Sequence, residues 1–187
     1  MMKFKKVLLT LLAVLAVFSY HSVYAWEHEV SAGYGWGEEF DEDYHNSVFI
    51  FGGKFYKFPK IDDTLIATID GSIAQLHADT DEYKNIITAA VSLALRAYFA
   101  DPDVHKIRPY LTASFGPAYI SDKQFGERQQ GSNFLLQSIL GGGIEFGLKN
   151  QRSIDVNLYL LHYSNAGLAS PNEGFDVPFV LSIGYQF

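Results

Sequence analysis

From Trp26 onward the chain holds no long stretch of helical period. It runs instead in segments of about ten residues whose polarity alternates, separated by turn residues. Alternation at period two sends successive side chains to opposite faces of a strand, so each segment offers one row to a core and one to its surroundings. The spacing predicts eight strands, at 28–37, 47–57, 64–77, 86–100, 108–121, 133–148, 154–165 and 177–187.

Several segments assign their own faces. Ile87, Ala89, Val91, Leu93 and Leu95 share one parity, and Thr88, Ser92 and Arg96 the other. Ile154, Val156, Leu158 and Leu160 share a face, with Asp155, Asn157 and Tyr159 opposite. The segment containing Phe49, Ile50, Phe51 and Phe55 is apolar on both faces and does not orient itself. In the last segment Phe179, Leu181, Ile183, Tyr185 and Phe187 fall together, opposite Val180, Ser182, Gly184 and Gln186. A final Phe with Tyr two places before it looks like the closing strand of an outer-membrane barrel; an ordinary amphipathic strand is the other reading.

The linkers fall into two kinds. Phe58–Asp63, Asp101–Ile107 and Lys149–Ser153 are short, while Glu38–Asn46, Ala78–Asn85, Asp122–Ser132 and Ala166–Asp176 are longer, and the two kinds alternate. Outer-membrane barrels keep short turns on the periplasmic side and longer loops outside. The fold class expected is therefore all-β: an eight-stranded antiparallel transmembrane barrel with both termini in the periplasm. Its interior is just wide enough to be filled by side chains. Arg96, Asp70, Glu145 and Asp155 are expected to form a paired polar core there, beside Gly33, Gly35, Gly141 and Gly143, where bulk is limited. A soluble lipocalin-like barrel would reverse the faces, with the apolar rows inside and the charges outside.

The start of the chain reads as an address. Lys3, Lys5 and Lys6 precede an apolar run from Val7 to Phe18, and Val23-Tyr24-Ala25 is a small-x-small cleavage pattern, so residues 1–25 are expected to be a signal peptide and 26–187 the barrel. The run falls short of the roughly 20 residues a spanning helix needs. The chain has no cysteine, which excludes a lipidated N-terminus and fits an exported protein stabilised without disulfides. Its net charge of −7 becomes more negative once the lysines are cleaved away, so no nucleic-acid partner is expected.

Chemistry is concentrated between His162 and Asp176. His162 and Ser164 are two apart on a strand and point the same way, and an imidazole that takes a hydroxyl proton makes serine a nucleophile. Both continue the row of Leu158 and Leu160 at the outer end of a strand, the level of outer-leaflet headgroups and acyl esters. An interfacial girdle of His, Tyr and Ser would place them equally well. The acidic run Glu38 to Asp43 could hold a divalent cation, although like-charge runs usually stay hydrated. His28, His45, His77 and His105 lack metal-ligand spacing, and the Gly33–Gly37 and Gly141–Gly143 runs lack the lysine of a phosphate loop, so no metal and no cofactor is expected.

The stretch His162-Tyr163-Ser164-Asn165-Ala166, with Pro171-Asn172-Glu173-Gly174, resembles the signature of the lipid A 3-O-deacylase family, the PagL-type acyloxyacyl hydrolases. A looser likeness extends to Pro109-Tyr110-Leu111 and Phe115-Gly116. The resemblance implies an outer-membrane enzyme that removes the ester-linked 3-hydroxyacyl chain at the 3 position of lipid A. It implies Ser164 as nucleophile, His162 as general base, and Asn165 and Gly167 at the oxyanion; turning the chain is the plainer role for these last two. The triad acid would fall at Asp176, where the family's usual residue is Glu, with Glu173 as fallback. On strand parity alone, Asp176 points inward unless the turn before Pro178 re-aims it. The partner implied is lipid A in the outer leaflet. A homodimer is compatible with the chain, but no residue pattern points to one. A non-catalytic barrel with a structural or loop-binding role, and an acyltransferase on a similar barrel, are the rival functions.

Overall fold

The computed structural model describes residues 28–59, 64–101 and 105–187; the expected signal peptide lies outside them. The strands are β1 (Glu29–Glu38), β2 (His45–Lys57), β3 (Leu65–Ala78), β4 (Asn85–Tyr98), β5 (Ile107–Ile120), the two-residue β6 (Gln124–Phe125) and β7 (Arg128–Gln129), β8 (Phe134–Gly147), β9 (Ser153–Ser164) and β10 (Phe175–Gln186). Eight of them close an antiparallel barrel in the order β1-β10-β9-β8-β5-β4-β3-β2, while β6 and β7 form a small hairpin in the loop after β5. Closure pairs β1 with β10 from Glu29↔Gln186 to Trp36↔Phe179. A closed ladder leaves no edge, the condition for placing β-structure in lipid.

The eight predicted segments match the barrel strands, each boundary shifting by two residues or fewer. The linkers correct the sorting by length. Because β2 and β4 start earlier than predicted, the connections 39–44 and 79–84, six residues each, are shorter than two of the three turns at the opposite end. The long outer loops are 121–133 and 165–174.

The faces decide between lipid and water. Outward residues are large and apolar around the wall, among them Trp36, Phe49, Phe51, Leu93, Phe115, Leu140, Leu158 and Phe179, while Glu29, Lys54, Arg96, Glu145 and Asp155 are buried inside. A soluble barrel would need the reverse. The doubly apolar strand is resolved as well: Val48 and Ile50 point inward, Phe49 and Phe51 outward.

The lumen is layered rather than uniformly polar. Towards the termini Arg96 donates to Asp155 at 2.8 Å, Tyr110 donates to the same carboxylate at 2.8 Å, and Lys54 pairs with Glu29 and Arg108 with Glu145. Towards the outer loops it is an apolar plug of Val48, Ile50, Leu76, Ile86, Ile120, Leu135, Leu161, Phe175 and Val177, with Phe125 of the small hairpin packed into it. Interior glycines give the strands room: a Cβ on Gly143 would stand 2.6 Å from the Tyr110 hydroxyl.

Candidate active site

Along β9 the odd residues from Ser153 to Tyr163 are buried, and the even residues, ending in His162 and Ser164, face outward. Tyr163 anchors this register: its hydroxyl lies 2.9 Å from that of Thr88 and accepts a bond from Gln137 at 2.7 Å inside the barrel. With Tyr163 pinned inward, its neighbours His162 and Ser164 must emerge from the wall. They do so at the loop end, where β9 gives way to the turn at Asn165.

Strand parity alone would have sent Asp176 inward, but a bulge reverses it. The register of β10 against β9 runs Val177↔Leu161 and then Val180↔Tyr159, one extra residue on β10. A bulge of this kind re-aims the side chains beyond it. Its cause can be read locally: Pro178 has no N–H to give the ladder, and its ring packs where a Cβ on Gly37 would lie 2.6 Å from the proline Cδ. Asp176 consequently stands opposite His162, and its Oδ1 lies 2.8 Å from His162 Nδ1. The carboxylate side chain is 12% exposed and the imidazole 35%.

Asp176 turns its backbone N–H and C=O away from β9, towards Glu39 and Asn46. The Asp176–His162 pair is therefore of the non-hydrogen-bonded kind, in which Cα atoms approach to about 4.5 Å. This close spacing is what lets Asp, one methylene shorter than Glu, reach the ring. Glu173 is engaged elsewhere, its Oε2 accepting the Gln129 N–H at 2.7 Å. Gly174 leaves space for the imidazole: a Cβ there would lie 2.7 Å from His162 Cε1 and 3.3 Å from Nε2.

Asn165 and Gly167 shape the turn after Ser164. The Asn165 N–H donates to Asn172 Oδ1 at 2.9 Å, and the Gly167 N–H donates to Asn165 Oδ1 at 3.0 Å. The buried Asn165 amide also donates to the carbonyls of Ala169 and Pro171. Both expected oxyanion residues thus hold the loop through their own N–H groups. Between them Ala166 adopts a left-handed φ of 53° and is exposed, and its N–H has no protein acceptor among the described residues. Ser164 likewise makes no hydrogen bond to His162 among the described residues; a change of its χ1 between staggered wells re-aims the hydroxyl.

Glu39 and Asn46 went unnoticed in the sequence. Glu39 belongs to the acidic run read as a solvated loop, and Glu38, Asp41 and Asp43 do stay exposed, but Glu39 is 2% exposed. Burial pushes its carboxyl up from an ordinary 4.5 to about 7, against the lowering effect of the Asp176 N–H. Asn46 carried the one available signal, a polar residue in the row of Val48 and Ile50 that turns out to face the plug.

A family model described as lipid A 3-O-deacylase (PagL) matches residues 16–186. The chain belongs to this family. It is 36% identical over 70 residues to the lipid A deacylase PagL of Pseudomonas aeruginosa, covering 37% of this chain and 38% of that one. It is 32% identical over 80 residues to the lipid A deacylase PagL of Bordetella bronchiseptica, covering 43% and 42%. The chain thus spans about two fifths of the length of these relatives. The barrel superposes on the crystal structure of the outer membrane enzyme PagL with a TM-score of 0.61 at 23% identity, covering 85% of this chain and 98% of that one. It superposes on that of Neisserial surface protein A with a TM-score of 0.58 at 12% identity, covering 86% and 94%. At these identities the likeness is one of fold. Family and fold together make the protein an outer-membrane β-barrel.

Proposed function

We propose that the protein is a serine hydrolase that removes the ester-linked 3-hydroxyacyl chain from the 3 position of lipid A. The observation that carries this reading is the 2.8 Å His162–Asp176 pair on the outward face, with Ser164 two residues along the same row. The position on the sugar rests on membership in the lipid A 3-O-deacylase family.

The chemistry follows from the pair. An ionised carboxylate only accepts, so Asp176 fixes the ring proton on Nδ1 and leaves the Nε2 lone pair free. Nε2 takes the Ser164 proton as Oγ attacks the ester carbonyl. Asp176 then stabilises the imidazolium, which returns its proton to the departing sugar oxygen. Water, deprotonated by the same nitrogen, cleaves the acyl-enzyme and releases a 3-hydroxy fatty acid. The Ala166 N–H, in the Asn165–Gly167 turn beside the serine, is the donor left for the oxyanion, a role worth about 3 kcal/mol for one such group. The groups face lipid, so substrate reaches them with its acyl chains lying along the wall.

Mass spectrometry of lipid A from cells expressing the wild type or Ser164→Ala tests the reading. Loss of one hydroxyacyl mass with the wild type only is expected. Unchanged lipid A in both, or loss in both, removes the proposed function, and a gain of mass points to acyl transfer.

A further inference from the structure

The β1–β10 ladder stops at Trp36↔Phe179, below the bulge, while β1 goes on pairing with β2 as far as Glu38↔His45. Above that point β10 has lost its neighbour on one side. The Asp176 N–H and C=O point into this gap, where a buried backbone group without a partner is costly. Two side chains replace the missing strand. Glu39 Oε2 accepts the Asp176 N–H at 3.1 Å, and the Asn46 amide donates to the Asp176 carbonyl at 2.9 Å. Asn46 also donates to Glu39 Oε2, so the two side chains brace each other. Glu39 is held from the far side by Arg128, whose Nε lies 3.8 Å from Oε1 and whose terminal nitrogen donates to the Phe40 carbonyl.

We infer that Glu39 and Asn46 are positioning residues for the reaction: they clamp the backbone N–H and C=O of Asp176 in the seam above the ladder and thereby hold its carboxylate against His162. The inference rests on the triad reading above. It assigns the clamp to reach and acceptor geometry. Gln at position 39 can present one oxygen to both N–H groups, whereas Asp keeps the charge but is one methylene short.

The test uses the full mature barrel in detergent–lipid A micelles, with hydroxy fatty acid release measured against substrate concentration and folding checked by heat-modifiable gel mobility. Glu39→Asp and Asn46→Ala should each lower kcat at least tenfold with KM within twofold of wild type, and Glu39→Gln should stay within threefold of wild-type kcat. The downfield His162 Nδ1–H resonance should move in the two impaired variants and not in Glu39→Gln. Wild-type kcat in Glu39→Asp and Asn46→Ala overturns the clamp, as do equal losses in the Gln and Asp variants. If Glu39→Asp does not fold, Asn46→Ala decides. Ser164→Ala run alongside separates the two claims: an active Ser164→Ala defeats the triad reading, whereas an inactive one beside a fully active Asn46→Ala defeats the clamp alone.

Discussion

Asp176→Asn nearly preserves size but places an amide donor where His162 Nδ1 needs an acceptor, and so favours the wrong ring tautomer. If the pair works as proposed, deacylation should fall about 10³- to 10⁴-fold, as in other triads, with gel mobility of the folded barrel unchanged. Gly174→Ala attacks the same ring from its other edge. The added methyl would lie 2.7 Å from Cε1, so the imidazole must swing away from Asp176, and at least a tenfold loss in kcat/KM is expected. Glu39 makes a prediction about pH. Its carboxyl titrates near 7 in the folded chain against an ordinary 4.5. Between those values the folded barrel holds a proton that the unfolded chain releases, so this contribution to stability is present below about pH 4.5 and is lost as pH rises to 7. Thermal melts in detergent across that window should fall more steeply for wild type than for Glu39→Gln; parallel curves would deny the shift.

Strand by strand, period-two alternation was enough to locate all eight walls and to turn His162 and Ser164 outward, because parity within a strand is a local property. Asp176 was not readable in this way. Its direction depends on one extra residue in β10, and that bulge depends on Pro178 meeting Gly37 across the barrel seam. Glu39 was hidden for a similar reason: a side chain's burial depends on what lies over it, here Asp176 and Arg128 from distant segments. The outer loops show the same long-range dependence. The loop carrying Gly131 is zipped to the one carrying Asn172 by Gly131 N–H to the Pro171 carbonyl, Glu173 N–H to the Gln129 carbonyl at 3.1 Å, and Gln129 N–H to the Glu173 carboxylate. Glu173→Ala removes the last of these, a bond worth about 1 kcal/mol. Faster proteolysis within 121–133 and a kcat within threefold of wild type are expected. A loss as deep as that of Asp176→Asn would move the acid's role to Glu173.

Across the whole molecule, ion pairs fill the half of the lumen nearer the termini and an apolar plug fills the half beside the candidate site. Arg96→Ala would leave the buried Asp155 carboxylate without its cation, while Glu29 keeps Lys54, at a cost of about 3–5 kcal/mol. Urea titration in lipid should report that loss, while the specific activity of the protein that remains folded stays at wild type. Failure of activity in step with stability would show that the two halves are coupled. The acid of the candidate site also sits at the junction of the first and last walls, the final one to zip when a sheet becomes a cylinder. On the proposed reading, an enzyme whose acid is gripped by Glu39, just past the first wall, and by Asn46, on the second, stays dormant during export and ripens only when its ends meet. A half-inserted chain would then carry the serine and the imidazole yet spare the lipids it passes on the way.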